Sequence, residues 1–163
     1  MAVSIDAQIL IWGIKRQSTP NRADMIPRAV KFFQKCQDTR TQVFLPAQSF
    51  AEFLVGYTPE QRQQTLAVLP RTFIVKPFDA KAAAIAADLQ RSWNDLREIM
   101  AEYGLTKQQV KSDINVLATS IAHGASHLYS EDEQMPSLAQ GKILIARLPP
   151  AVEQRGLDFF LGD

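Results

Sequence analysis

KQQVKSDINVLATSIAHGASHLYSED, residues 107–132, decides how the rest of the chain is read. Thr106 with Gln109 three residues later matches a capping box and predicts a helix start. Gly124 stands where the left-handed residue after a helix belongs. Val110, Ile114, Leu117, Ala118, Ile121 and Ala122 recur at helical spacing and mark the buried face. Asp113 lies three residues after Val110 and four before Leu117, which puts a carboxylate on or beside that face. A short strand, residues 127–129, then delivers Ser130, Glu131 and Asp132 to its C-terminal end. A carboxylate without a partner is costly to bury, so acids converging on one point imply a cation.

Working outward, the remaining segments alternate strand with helix. Strands are predicted at residues 2–5, 42–45, 73–75 (with an extension to 78) and 142–148, the last stopped by Pro149 and Pro150. Helices are predicted at residues 7–14, with Ile9, Leu10 and Ile14 inward, and from Asp24 to about Cys36, with Val30 and Phe33 inward and Phe32 near them. Others span 47–55 and 58–69, the latter opened by Thr58-Pro59-Glu60-Gln61. A long one, capped by Asp79, reaches Tyr103; Ile85, Leu89, Leu96, Met100 and Tyr103 share its stripe, with Trp93 at the edge. This order implies an α/β three-layer sandwich with a central parallel sheet of four to five strands and helices on both faces. Ligands of such sheets bind beyond the carboxyl ends of the strands. Asp6 lies beyond the first strand and Asp132 beyond the fourth, and Glu52 and Asp113 lie on helices that can border the same edge.

The chain has 163 residues, which suits a single domain over 1–163. Its net charge of +1 argues against a strongly electrostatic nucleic-acid binder but leaves room for a local basic patch. Cys36 is the only cysteine, so no internal disulfide is possible. With no apolar run long enough for a bilayer and no secretory leader visible, a cytoplasmic protein without membrane contact is expected.

Clustered carboxylates repel and titrate upward unless a cation relieves them. Hard divalent ions such as Mg²⁺ or Mn²⁺ take oxygen ligands. Two of them roughly 4 Å apart polarise a phosphodiester and activate water. Singly, each acid has a plainer reading: Asp6 as a helix cap, Glu52 as a solvated acid, Asp132 as a turn residue, and Asp113 as the partner of a buried cation. Their joint placement carries the argument.

Four blocks resemble a PIN domain, and within that group the toxin of type II toxin–antitoxin pairs (VapC-like). They are Ser4-Ile5-Asp6; Ser49-Phe50-Ala51-Glu52-Phe53; Ser112-Asp113 opening a run that ends Ala122-His123-Gly124; and Leu128-Tyr129-Ser130-Glu131-Asp132. The resemblance covers nearly the whole chain in order and length. It implies a Mg²⁺- or Mn²⁺-dependent endoribonuclease with Asp6, Glu52, Asp113 and Asp132 as the acidic cluster and Ser130 as a positioning hydroxyl. It also implies an RNA substrate, a small antitoxin covering the cleft, and a homodimer. Family members often carry a hydroxyl residue after the first acid, where this chain has Ala7, and a small residue after the third, where it has Ile114. Ala7 supports a rival reading, a catalytically inactive PIN-like module that binds RNA or protein. RNA rather than DNA rests on the resemblance alone.

Other residues read more plainly. Gly124 separates His123 from His127, so they do not read as a metal pair; His123 suits a helix C-terminus. Cys36 reads as a core thiol. No Gly-rich phosphate loop is present. Lys15, Arg16, Lys107 and Lys111 flank the predicted acidic edge and suit RNA phosphates as well as solvent. Trp12 and Trp93 read as packing residues, although the surface around Trp12 and Phe32 is the expected partner contact. Phe159-Phe160-Leu161 in the tail is an apolar segment suited to docking.

Overall fold

The computed structural model describes residues 1–91 and 93–151, without the Trp93 side chain. The expectations for Trp93 and for Phe159, Phe160 and Leu161 therefore lie outside the described residues. Five strands, β1 (Ala2–Ile5), β2 (Gln42–Pro46), β3 (Ile74–Lys76), β4 (His127–Tyr129) and β5 (Leu144–Ala146), form one sheet in the order β3-β2-β1-β4-β5. Every neighbouring pair is parallel. Ser4 of the central strand stands opposite Phe44 on one side and Leu128 on the other. The expected three-layer α/β sandwich is the observed architecture.

The period of two along a strand assigns side chains to the two layers. Val3 and Ile5 point into a cluster with Ile9, Leu10, Met25 and Phe32, from α1 (Ala7–Leu10) and α2 (Met25–Asp38). Leu128 points into the other cluster, with Val110, Ile114 and Leu117 from α7 (Lys107–Ala122) and Leu138 from α8 (Met135–Ala139). Ser4, between Val3 and Ile5, turns toward α7, where Ser120 Oγ lies 2.8 Å from both Ser4 Oγ and the Val116 carbonyl. That pairing satisfies two fully buried hydroxyls and fixes α7 over the central strand.

Both capping boxes read from the sequence form, at Thr58 with Gln61 and at Thr106 with Gln109. They open α4 (Pro59–Thr72) and α7. Gly124 adopts φ +75° after α7, the conformation its position predicted. Ahead of α4, α3 (Ala47–Leu54) succeeds β2 with Pro46 at its N-cap.

Several boundaries differ. The long helix expected from Asp79 to Tyr103 is two, α5 (Ala80–Leu89) and α6 (Trp93–Tyr103). Gln140 explains part of the break: its Nε2 donates to the Leu89 carbonyl at 2.9 Å and occupies an acceptor that a continuing helix would use. The first helix leaves α geometry after Leu10 and continues as a π turn, Ile11–Lys15. That turn carries Ile14 outward, 44% exposed, and Trp12 and Gly13 inward. Phe32 is buried and Phe33 half-buried, the reverse of the expected emphasis. Trp12 and Phe32 are thus core residues and not surface for a partner. Asp24 makes no side-chain cap to α2; it pairs with Arg28 at 3.7 Å. No helix among the described residues is long and apolar enough to cross a membrane.

Gly13 is the tightest point of this packing. A Cβ there would stand 2.2 Å from Phe33 Cε2, and Phe33 is held by Phe32 and Phe73, with ring centroids at 5.5 and 5.2 Å. Gly13→Ala is expected to lower stability by about 1–3 kcal/mol, because the Phe33 ring must shift out of its contacts with Phe32 and Phe73. Urea unfolding measures this, and an unchanged midpoint would show that Phe33 moves freely.

Candidate active site at the carboxyl edge of the sheet

Asp6 is the innermost acid. It comes directly after β1, and its amide donates to the Tyr129 carbonyl at 3.1 Å, so pairing to β4 continues one residue past the strand. Its side chain is 7% exposed. Oδ1 accepts from the Ala7 amide at 2.7 Å, and Oδ2 accepts from Ser130 Oγ at 3.0 Å. The capping role and the site placement of Asp6 therefore hold together. Ser130, itself fully buried, also accepts from the Asp132 amide at 3.2 Å. One hydroxyl thus fixes the buried acid and the turn bearing the next one.

Asp113 arrives from the second turn of α7, half-buried as its spacing predicted. Its Oδ2 accepts from Gln134 Nε2 at 2.9 Å. Glu52, on the exposed side of α3, accepts from Ser112 Oγ at 3.0 Å, which links α3 to α7 beside Asp113. All four sequence-predicted acids and Ser130 come to one edge from four separate segments.

The electrostatics reflect how closely they sit. Burial, and then the neighbouring Asp132, push the Asp6 carboxyl up to about 7; the Ser130 and Ala7 hydrogen bonds oppose this, and Asp113 adds to the rise. Burial pushes Asp113 up to about 6; the Gln134 hydrogen bond opposes it, and Asp132 and Glu52 repel it further. Asp132 is raised too, first by burial of its carboxyl, against a hydrogen bond with Asp6 and the charges of Arg147 and Arg22.

Glu131 plays a different part from its neighbours. Its Oε1 accepts from the Leu148 amide at 2.7 Å, and its Oε2 lies 3.9 Å from both Arg22 and Arg147. Arg147 also donates to the Ser130 carbonyl at 3.2 Å. These arginines, rather than the basic residues expected from the sequence, are the cations beside the acids. Lys15 turns inward: its Nζ donates to the Phe53 carbonyl at 2.6 Å and lies 4.0 Å from the Tyr57 ring centroid. Arg16 lines a separate depression with Gly13, Phe33 and Arg71. Lys111 is exposed on α7 near Ser112, and Lys107 opens that helix. Neither histidine joins the site. His123 caps α7 and lies 3.0 Å from the Pro77 carbonyl, and His127 pairs with Ser126.

Among the described residues, no three His, Cys, Asp or Glu side chains are arranged as a ready-made metal cage. The donor set still fits a hard divalent ion. Mg²⁺ is usually held by one or two carboxylates and keeps several waters, and Asp6 and Asp113 are raised by burial and by neighbouring acids, with no basic side chain among the described residues offsetting either.

The fold is a three-layer α/β sandwich with these acids at the carboxyl edge of its parallel sheet. Among solved structures, the chain is similar to one in the crystal structure of VapBC2 from Rickettsia felis bound to a DNA fragment from their promoter. The TM-score is 0.61 at 14% identity, over 90% of this chain and 98% of that one, a likeness in fold. No family model and no curated protein matches the sequence.

A carboxyl whose folded-state pKa lies above its ordinary value binds more protons in the native state than in the unfolded one across that window. Stability then falls as pH rises through it. In EDTA, the unfolding free energy from urea titrations is therefore expected to decline between about pH 4 and pH 7, by up to ~1.4 kcal/mol per pH unit for each such group. Asp113→Asn should show a shallower decline up to pH 6. Parallel curves for the two proteins would remove Asp113 from the cluster.

Proposed function

We propose that this chain is a Mg²⁺- or Mn²⁺-dependent endoribonuclease of the toxin class. The observation that carries the reading is the convergence of Asp6, Glu52, Asp113 and Asp132, with Ser130 holding Asp6, at the carboxyl edge of a parallel sheet. When bound, a divalent ion polarises the phosphodiester and lowers the pKa of the attacking water. Asp6, Asp113 and Asp132 hold the ion directly or through water, and Glu52 borders them. Ser130 fixes the Asp6 oxygen that Ala7 does not, and Gln134 keeps Asp113 aimed at the edge. No side chain here serves as a covalent nucleophile.

The likeness to a chain of the VapBC2 complex supports a small antitoxin partner for this chain as well. An apolar depression suited to a partner or to a second copy lies between the π turn and α4, lined by Ile14, Phe53, Tyr57 and Val68.

The test is cleavage of a mixed RNA pool, with a DNA pool beside it, by wild type and Asp113→Asn, with Mn²⁺ or EDTA. Asparagine keeps an oxygen for Gln134, so the variant is expected to fold. Wild type should cut RNA only with metal, and the variant at least ~100-fold more slowly. Mn²⁺ should also raise the melting temperature of wild type more than that of the variant, by mass action on the native state. Full cleavage by the variant, or cleavage in EDTA, would overturn the assignment. Metal stabilisation without any cleavage would favour the non-cutting binding module, whose sequence support is Ala7.

A further inference from the structure

We infer that the cleft beside Asp132 is a nucleotide subsite. Arg22 takes a phosphate flanking the scissile one, and Gln8 and Asn21 read the neighbouring base. This rests on the proposed ribonuclease activity and adds where the substrate strand lies. The cleft measures about 370 Å³, within the range of small-molecule pockets. It is walled by α1 and by the 3-10 turn Pro20–Arg22, and Asp132 belongs to both the cleft and the acidic cluster. Any group seated there is therefore adjacent to the reacting phosphate.

The lining is chemically unsatisfied in a specific way. Arg22 stacks on the buried Trp12 indole, 5.3 Å from the ring, and its one ion-pair contact among the described residues is the 3.9 Å approach to Glu131. No carboxylate or carbonyl among the described residues accepts a short hydrogen bond from its guanidinium. Glu131 is shared with Arg147 and accepts from the Leu148 amide, so Arg22 keeps guanidinium donors free at the rim of the cleft. A guanidinium held this way offers paired donors matched to a phosphate.

The base-reading groups are carboxamides. Thr19 Oγ1 donates to Asn21 Oδ1 at 2.7 Å. That bond fixes which end of the amide is occupied and leaves Asn21 Nδ2 as a free donor. Gln8 is half-buried on α1 two residues after Asp6, and its carboxamide has no protein partner among the described residues. Carboxamides form paired hydrogen bonds with base edges, and single-stranded RNA presents those edges.

The test uses the full chain and an RNA containing its mapped cut site, comparing wild type, Arg22→Ala, Arg22→Lys, Asn21→Ala and Gln8→Ala. Arg22→Ala should raise KM about ten-fold, with a smaller change in kcat. Its salt dependence of log(kcat/KM) should be shallower by about one. Arg22→Lys should recover the salt slope, because it keeps the charge. Asn21→Ala and Gln8→Ala should relax base preference at one position next to the cut while the cut itself persists. Binding of the same fluorescent RNA to the Asp113→Asn chain, with and without Arg22→Ala, reads the subsite without turnover and should weaken by a similar factor. Cleavage with unchanged KM, salt slope and base preference in all four variants would overturn the subsite and leave the nuclease reading standing. Neither cleavage nor binding by wild type would overturn both.

Discussion

The Asp6 carboxylate is the constraint on which the rest of the site depends. It is almost wholly buried at the end of the central strand, and each of its oxygens has a protein donor, Ala7 on one side and Ser130 on the other. Two hydrogen bonds offset only part of the cost of an ionised group in that position. The acid is consequently driven toward its neutral form, and Asp132 nearby drives it further. Under the proposed function, this is the acid that would exchange a proton for a metal ion. The scaffold holds the acid in place through β1 and β4, whose pairing runs on past the strand ends through Asp6 and Tyr129.

Much of this was legible in the sequence, because it depends on periodicity and on local hydrogen bonds. Val110, Ile114 and Leu117 mark the inner face of α7 by spacing alone, and Asp113 could be placed beside that face from the same spacing. Thr106 with Gln109 and Gly124 bound the helix through interactions within one turn. The short run from His127 to Tyr129 gains its meaning from Ser130 and Asp132 just beyond it, since a parallel strand presents its carboxyl end to the ligand edge.

The features that sequence reasoning missed are those set by tertiary contact. The break between α5 and α6 has no proline or glycine to announce it, and Gln140, about fifty residues away, satisfies the Leu89 carbonyl. Ile14 fits an inward helical stripe only if the helix stays α; the π turn rotates it to solvent and brings Trp12 and Gly13 in. Gln134 carries no signal as a partner of Asp113, because the contact joins two segments twenty-one residues apart across the edge. The basic residues were the least predictable. Lys15, read as flanking the acidic edge and suited to phosphate or solvent alike, is instead engaged by the Phe53 carbonyl and two aromatic faces.

Charge placement at this edge shows the same contrast between local and tertiary control. Asp6, Asp113 and Asp132 repel one another and have no lysine or arginine inserted among them within the described residues, whereas the adjacent Glu131 is bracketed by Arg22 and Arg147. If the arginines served only to neutralise acid, the most buried and most strongly shifted carboxylate would be the one to receive them. They go instead to Glu131, which also anchors the Leu148 amide and so ties the end of β5 to the end of β4. Glu131 thus acts as the clamp that positions two cations at the rim, apart from the inner acids. Two acids adjacent in sequence just past β4 take different surroundings: Glu131 meets the arginines and the Leu148 amide, and Asp132 meets the buried Asp6.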